Sequence, residues 1–197
     1  MSTGVNQLSN ALRCLPGVGT KTAQRMAFHL LANRSNGHLL ASAIDYAMQH
    51  IHPCQQCRMY CENTLCQWCS SEERDNSQLC VVEMPTDIHA IEETGHYQGL
   101  YFVLMGHLSP LDGKGPLELG MDLLQERIES GLLREIILAV NTTVEGDATM
   151  YYIAKLVKDY PIKLTRIASG VPLDGELGLV SNRTLAHALS SREPLTF

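Results

Sequence analysis

Apolar positions recur at helical spacing through the first fifty residues and at strand spacing after about residue 79. In the stretch 6–14, the spacing of Leu8, Ala11, Leu12 and the following Leu15 predicts a first helix. Leu15-Pro16-Gly17-Val18-Gly19 then predicts a tight turn. Thr20 is a candidate cap for a second helix to about Leu31, with Ala23, Met26, Ala27 and Leu30 on its inner face. The run 33–37 reads as a break, and 38–50 as a third helix ending before Pro53. From Leu79 short apolar runs alternate with helical periodicity. Strands are expected at 79–83, 100–105, 135–140 and 163–167, and helices at 85–94, 117–130 and 147–160. This alternation predicts a parallel, doubly wound sheet. The polar stretch 70–78 reads as a linker, 106–116 as a long Gly/Pro loop, and the tail as irregular chain with a short helix near Asn182–Leu189. The fold class is therefore α/β in several parts.

Composition sharpens this picture in two places. The 197 residues carry 45% hydrophobic side chains and a net charge of −6, yet the charge is unevenly spread. Residues 1–53 hold Arg13, Lys21, Arg25 and Arg34 against Asp45 alone, a net of +3, while 54–197 hold 11 basic and 20 acidic residues, a net of −9. A small basic head on an acidic body suggests a local polyanion site rather than a generally basic binder. No apolar run reaches the 18 residues or so of a membrane span, and the polar start lacks a signal-like stretch, so a cytoplasmic location is the default expectation.

Five of the seven cysteines fall between 54 and 69, which argues for metal over a disulfide framework. Cys54-x2-Cys57 and Cys66-x2-Cys69 form two knuckles separated by eight residues, the pattern of a structural zinc site with no open position. Such a segment is too short for its own core, so metal binding should supply its folding energy. Cys61 is the rival ligand, but its spacing breaks the pairing. Cys14 and Cys80 are read as small buried residues, and His50 and His52 as ordinary surface histidines.

Helix, Leu-Pro-Gly-Val-Gly, helix is the pattern of a helix-hairpin-helix. Gly17 and Gly19 are expected to take angles a β-carbon forbids and to let a ligand approach. The second helix then presents its N-terminus to an anion, flanked by Lys21 and Arg25 one turn apart. This suits nucleic-acid phosphates without base reading. A nucleotide P-loop fails on spacing, because Thr20 rather than Gly precedes Lys21 and no strand precedes the turn.

Glu83 ends the first strand, where sites on parallel sheets gather, and Asp87 follows one turn later. The region resembles the Toprim fold of topoisomerases, primases and related nucleases. Catalytic members carry a Glu after the first strand and an Asp-x-Asp after the third, holding magnesium. Glu83 matches the Glu, but Asn141 and Thr143 stand at the Asp-x-Asp positions. With those carboxylates replaced, a hard cation loses most of its ligands and two-carboxylate cleavage is not expected. Glu83, Glu145 and Asp147 remain as acids that could hold magnesium weakly or dock a basic partner.

Residues 12–31, the four cysteines, 82–88, 101–116, 141–149 and 166–178 together resemble the RecR family of bacterial recombination proteins, over nearly the whole chain. The resemblance implies four parts: a hairpin head (1–53), a four-cysteine zinc finger (54–69), a Toprim-like domain (79–167) and a C-terminal Walker-B-like segment used in subunit packing (168–197). It further implies a non-enzymatic, nucleoid-associated mediator that works with RecO, and in many bacteria RecF, to load RecA on single-stranded DNA. Lys21 and Arg25 would contact DNA, and Glu83, Glu145 and Asp147 are the candidate RecO-binding acids. Dimers pairing into tetrameric rings are implied too, with one structural Zn2+ per chain. The other reading is a metal-dependent Toprim enzyme, a nuclease or primase.

Overall fold

The computed structural model describes residues 2–168, 170–172 and 175–191. It divides into two compact units, 1–52 and 53–197. The cysteine segment, residues 54–69, packs into the same core as the sheet.

The first unit contains α1 (Thr3–Leu12), α2 (Thr20–Ala32) and α3 (Arg34–His50). Ser9, Ala23 and Ala27 are its buried residues, and α3 buries none. Small side chains at the α1–α2 contact let the two helices approach closely, but they bury little apolar area. Two expectations change here. The break expected over 33–37 narrows to Asn33, since α2 ends at Ala32 and α3 starts at Arg34. Cys14 is exposed, not a core residue.

Short strand β1 (His52–Pro53) falls at the boundary of the two units, and β2 (Tyr60–Cys61) lies within the cysteine segment of the second. The main sheet comprises β3 (Asp75–Val82), β4 (Gly99–Val103), β5 (Glu135–Ala139) and β6 (Lys163–Arg166), all parallel, in the order β4-β3-β5-β6. The crossovers are α4 (Pro85–Glu93), α5 (Met121–Glu129) and α6 (Val144–Val157), and α7 (Asn182–Ser190) lies in the tail. The strand order reverses between β3 and β5, the switch point at which open α/β sheets place their sites. Part of the expected linker 70–78 is strand instead: Asp75 to Gln78 extend β3, with Asp75 opposite Gly99 and Gln78 opposite Glu135. Polar residues suit that end of the strand, which emerges from the core.

Alternation along β3 divides the core in two. Leu79 and Val81 face α5 and α6 with Phe102, Ile136, Leu124 and Ile153. Cys80 and Val82 face the other side with Tyr101, Val103 and Ile88 of α4, and the metal-type cysteines and Trp68 complete that layer. The cysteine segment thus stands where a doubly wound fold would place another helix. It is tied down by backbone: Val103 N donates to Cys57 O at 2.9 Å. Arg58 reinforces this from a left-handed conformation (φ 66°). Its guanidinium donates to Leu104 O at 3.0 Å, Val103 O at 3.3 Å and Glu118 O at 2.9 Å. Gly120 makes room for it, since a Cβ there would lie 2.7 Å from Arg58 Nη1.

Arg58→Ala removes the donor for these carbonyls, and the loss of charge-assisted bonds of this kind typically costs about 1–3 kcal/mol. A thermal melt should show a midpoint several degrees lower; an unchanged midpoint would show that the clamp contributes nothing.

Candidate metal centre and hairpin site

The sulfurs of Cys54, Cys57, Cys66 and Cys69 lie within 4.8 Å of one another, and three of the four cysteines are buried. The two Cys-x2-Cys turns carry this convergence. Cys54 N donates to Met59 O and Arg58 N to Cys54 O, and Ser70 N to Cys66 O closes the second turn. Backbone N–H groups also point at sulfur, from Met59 to Cys57 Sγ (3.4 Å) and from Cys66 to Cys54 Sγ (3.3 Å), as suits thiolate ligands. Four sulfur donors in a closed, buried cluster fit a soft or borderline metal in a structural role. The rival Cys61 is outside the cluster, its thiol donating to Asn63 O at 2.8 Å. Cys57 and Cys66 sulfurs are 3.4 Å apart. With no metal between them, their mutual hydrogen bond raises the Cys57 pKa and lowers that of Cys66. Burial pushes the Cys80 thiol up to about 12, so it stays protonated as a core residue.

A thiolate cluster is anionic, and one cation is built in beside it. Arg127 of α5 is partly buried and donates to Tyr101 O (3.0 Å) and to Gln56 O (3.3 Å), inside the first knuckle. Burial disfavours its charge, while Cys69, Cys57 and Cys54 favour it. The sequence signal for it is weak: a basic residue on a mostly polar helix, distant in sequence from the cysteines.

In the hairpin, Gly17 takes φ 76°, which a β-carbon disfavours. Gly19 does not, having φ −80° as the N-cap of α2. Nothing lies within 4 Å of a Cβ built on either glycine. The expected strained angle therefore applies to Gly17 alone, and Gly19 leaves an open approach. Thr20 is the first helical residue, not the cap, and no side chain caps α2. Lys21 and Arg25 are both exposed, one turn apart. Neither makes an ion pair among the described residues.

At the sheet's switch point the three candidate acids part company. Glu145 and Asp147 are exposed on the first turn of α6, whereas Glu83 is buried (4% exposed). Glu83 Oε1 accepts from Asn141 N and Oε2 from Asn141 Nδ2, each at 2.8 Å. His107 Nδ1 stands 3.5 Å from Oε2, and Gly106 N donates to Glu83 O. The second neutral position is also occupied structurally: Thr143 caps α6 by accepting from Gly146 N at 3.0 Å. Gly146 is sterically required, since a Cβ there would sit 1.9 Å from Asn141 O. Asp87 caps α4 through Met84 N (2.8 Å). Of the segment 168–197, expected to be Walker-B-like, Ser169, Leu173, Asp174 and 192–197 lie outside the described residues.

Two family models match. Residues 5–48 match the RecR helix-hairpin-helix, and residues 77–168 match the Toprim domain.

Glu83→Gln places an amide N–H2 against the Asn141 donors, so a loss of about 1–3 kcal/mol in stability is expected; a denaturant midpoint equal to the parent's would contradict this bidentate pairing. Arg127→Gln is expected to weaken metal retention roughly tenfold or more, as loss of an outer partner typically does. Competition with a chromogenic chelator measures this, and identical release curves would reject the role.

Proposed function

The chain belongs to the RecR family, and from that membership in a recombinational-repair family we propose that it is a DNA-binding mediator without catalytic activity of its own. It acts with RecO, and with RecF where present, to promote RecA loading on single-stranded DNA. The observation that carries the reading is the hairpin: an open glycine turn leading into an uncapped helix start, with Lys21 and Arg25 exposed beside it. Helix-terminal N–H groups and two cations suit a phosphodiester, a contact that positions DNA without reading its sequence.

The absence of catalysis is supported by Asn141. Both Glu83 oxygens accept N–H donors from it, in place of a carboxylate neighbour that would help bind a divalent cation. Glu83 then serves to hold the rim in shape, and Glu145 and Asp147 are the exposed acids offered to RecO. The metal is zinc, one per chain, supported by the four-sulfur donor set.

The chain works as a homo-oligomer, a dimer or a tetrameric ring with the hairpins facing the DNA. Support comes from the apolar side chains that the first unit leaves uncovered: Leu39 is 70% exposed, Met48 76% and Ile44 54%. A groove of about 830 Å³ between Leu12, Met26, Phe28 and Leu40 adds to this surface. No described helix is long and apolar enough to cross a membrane; the bacterial cytoplasm, at the nucleoid, is the proposed location.

Lys21→Ala/Arg25→Ala should weaken binding to single-stranded DNA. It should also flatten the log–log salt dependence by about 1.4 per chain, the share of two neutralised phosphates. Fluorescence anisotropy over a salt series reads both quantities. Unchanged affinity and slope would reject the hairpin as the DNA contact.

A further inference from the structure

The second unit is strongly acidic, so the disposition of its few cations is informative. Arg58 and Arg127 are committed to backbone carbonyls, Arg74 pairs with Glu92, and Lys163 pairs with Glu135. Lys114, Arg134, Lys155, Lys158, Arg166 and Arg183 make neither an ion pair nor a side-chain hydrogen bond among the described residues, and of these Arg166 and Arg183 both line one cleft of about 630 Å³. Arg166 is the last residue of β6 and Arg183 the second residue of α7. Thr142 and Thr184 add hydroxyl groups to the wall, and Asp147 is the one carboxylate that the described residues place on it.

The position suits a ligand. The cleft lies outside the carboxyl ends of parallel strands, next to the β5–α6 turn, where doubly wound sheets hold their ligands. Its volume falls in the range of small-molecule sites. Two arginines lining one cleft, against the single carboxylate of Asp147 among the described lining residues, suit a doubly charged oxyanion, because each guanidinium can donate two parallel N–H bonds to its oxygens.

We propose that the cleft between the end of β6 and α7 binds a phosphate group, with Arg166 and Arg183 as its cationic walls and Thr142 and Thr184 as hydroxyl donors. The phosphate belongs either to a free nucleotide or to the backbone of DNA already gripped by the hairpin. Asp147 opposes it from within the same cleft, so the site's affinity is a balance of two positive walls and one negative one.

Calorimetric titration of the full chain with pyrophosphate at low salt tests this, and it is repeated on the Lys21→Ala/Arg25→Ala background so that the hairpin does not contribute. The parent should bind, Arg166→Gln and Arg183→Gln should each lower affinity about tenfold or more, and Asp147→Asn should raise it. The opposite sign of the Asp147 variant keeps the test valid even if an arginine variant folds poorly. Displacement of pyrophosphate by a short oligothymidylate on the hairpin-silent background assigns the phosphate to DNA, and displacement by ATP alone assigns it to a nucleotide; either supports the site. No pyrophosphate binding by the parent, or equal affinity in the arginine variants and in Asp147→Asn, would overturn it. Loss of binding only in the hairpin-silent chain would place the phosphate at the hairpin and overturn the proposal too.

Discussion

Four cysteine sulfurs meeting at one point hold the second face of the sheet closed. A parallel sheet needs cover on both sides. Here α5 and α6 cover one face, while α4 supplies only part of the other. Tyr101 and Val103 of β4 are fully buried in the layer that the cysteine segment and Trp68 share with α4. That segment has too few apolar residues to fold by itself, so its shape depends on whatever joins the sulfurs. The hydrogen bond from Val103 N to Cys57 O and the Arg58 clamp pass that dependence to the sheet.

The same economy shapes the rim. In a catalytic Toprim arrangement, carboxylates would converge at the end of β3 and repel one another until a cation arrived. Asn141 replaces that need: its backbone and side-chain N–H groups satisfy Glu83 without metal. Thr143 and Gly146 then shape the following turn, so α6 starts with Glu145 and Asp147 turned to solvent. The rim is thus held by neutral hydrogen-bond donors where a catalytic arrangement would set carboxylates.

Much of this was legible in the sequence. The parallel order follows from alternating strand and helix periods, and the four ligands follow from two Cys-x2-Cys pairs, with Cys61 set aside by its spacing. The docking of the cysteine segment was not legible, because it rests on hydrogen bonds such as Arg58 to Leu104 and Arg127 to Gln56 that join residues 46 and 71 positions apart. The strand hidden in the polar stretch 75–78 escaped for a related reason: its pairing partners, Gly99 and Glu135, are distant. Cys14 was expected in a core that the first unit, with its small buried side chains, does not build alone. Helix periodicity reports which face is apolar but not whether this chain or a second copy covers it.

Hydrogen exchange with and without metal measures the central dependence most directly, since it reports local opening strand by strand. Stripping the metal with a chelator should collapse protection at Tyr101 and Val103 of β4 and along α4, while amides of α1 and α2 exchange as before. Full protection of β4 in the metal-free chain would contradict the account, because the sheet's second face would then stay closed without the four joined sulfurs.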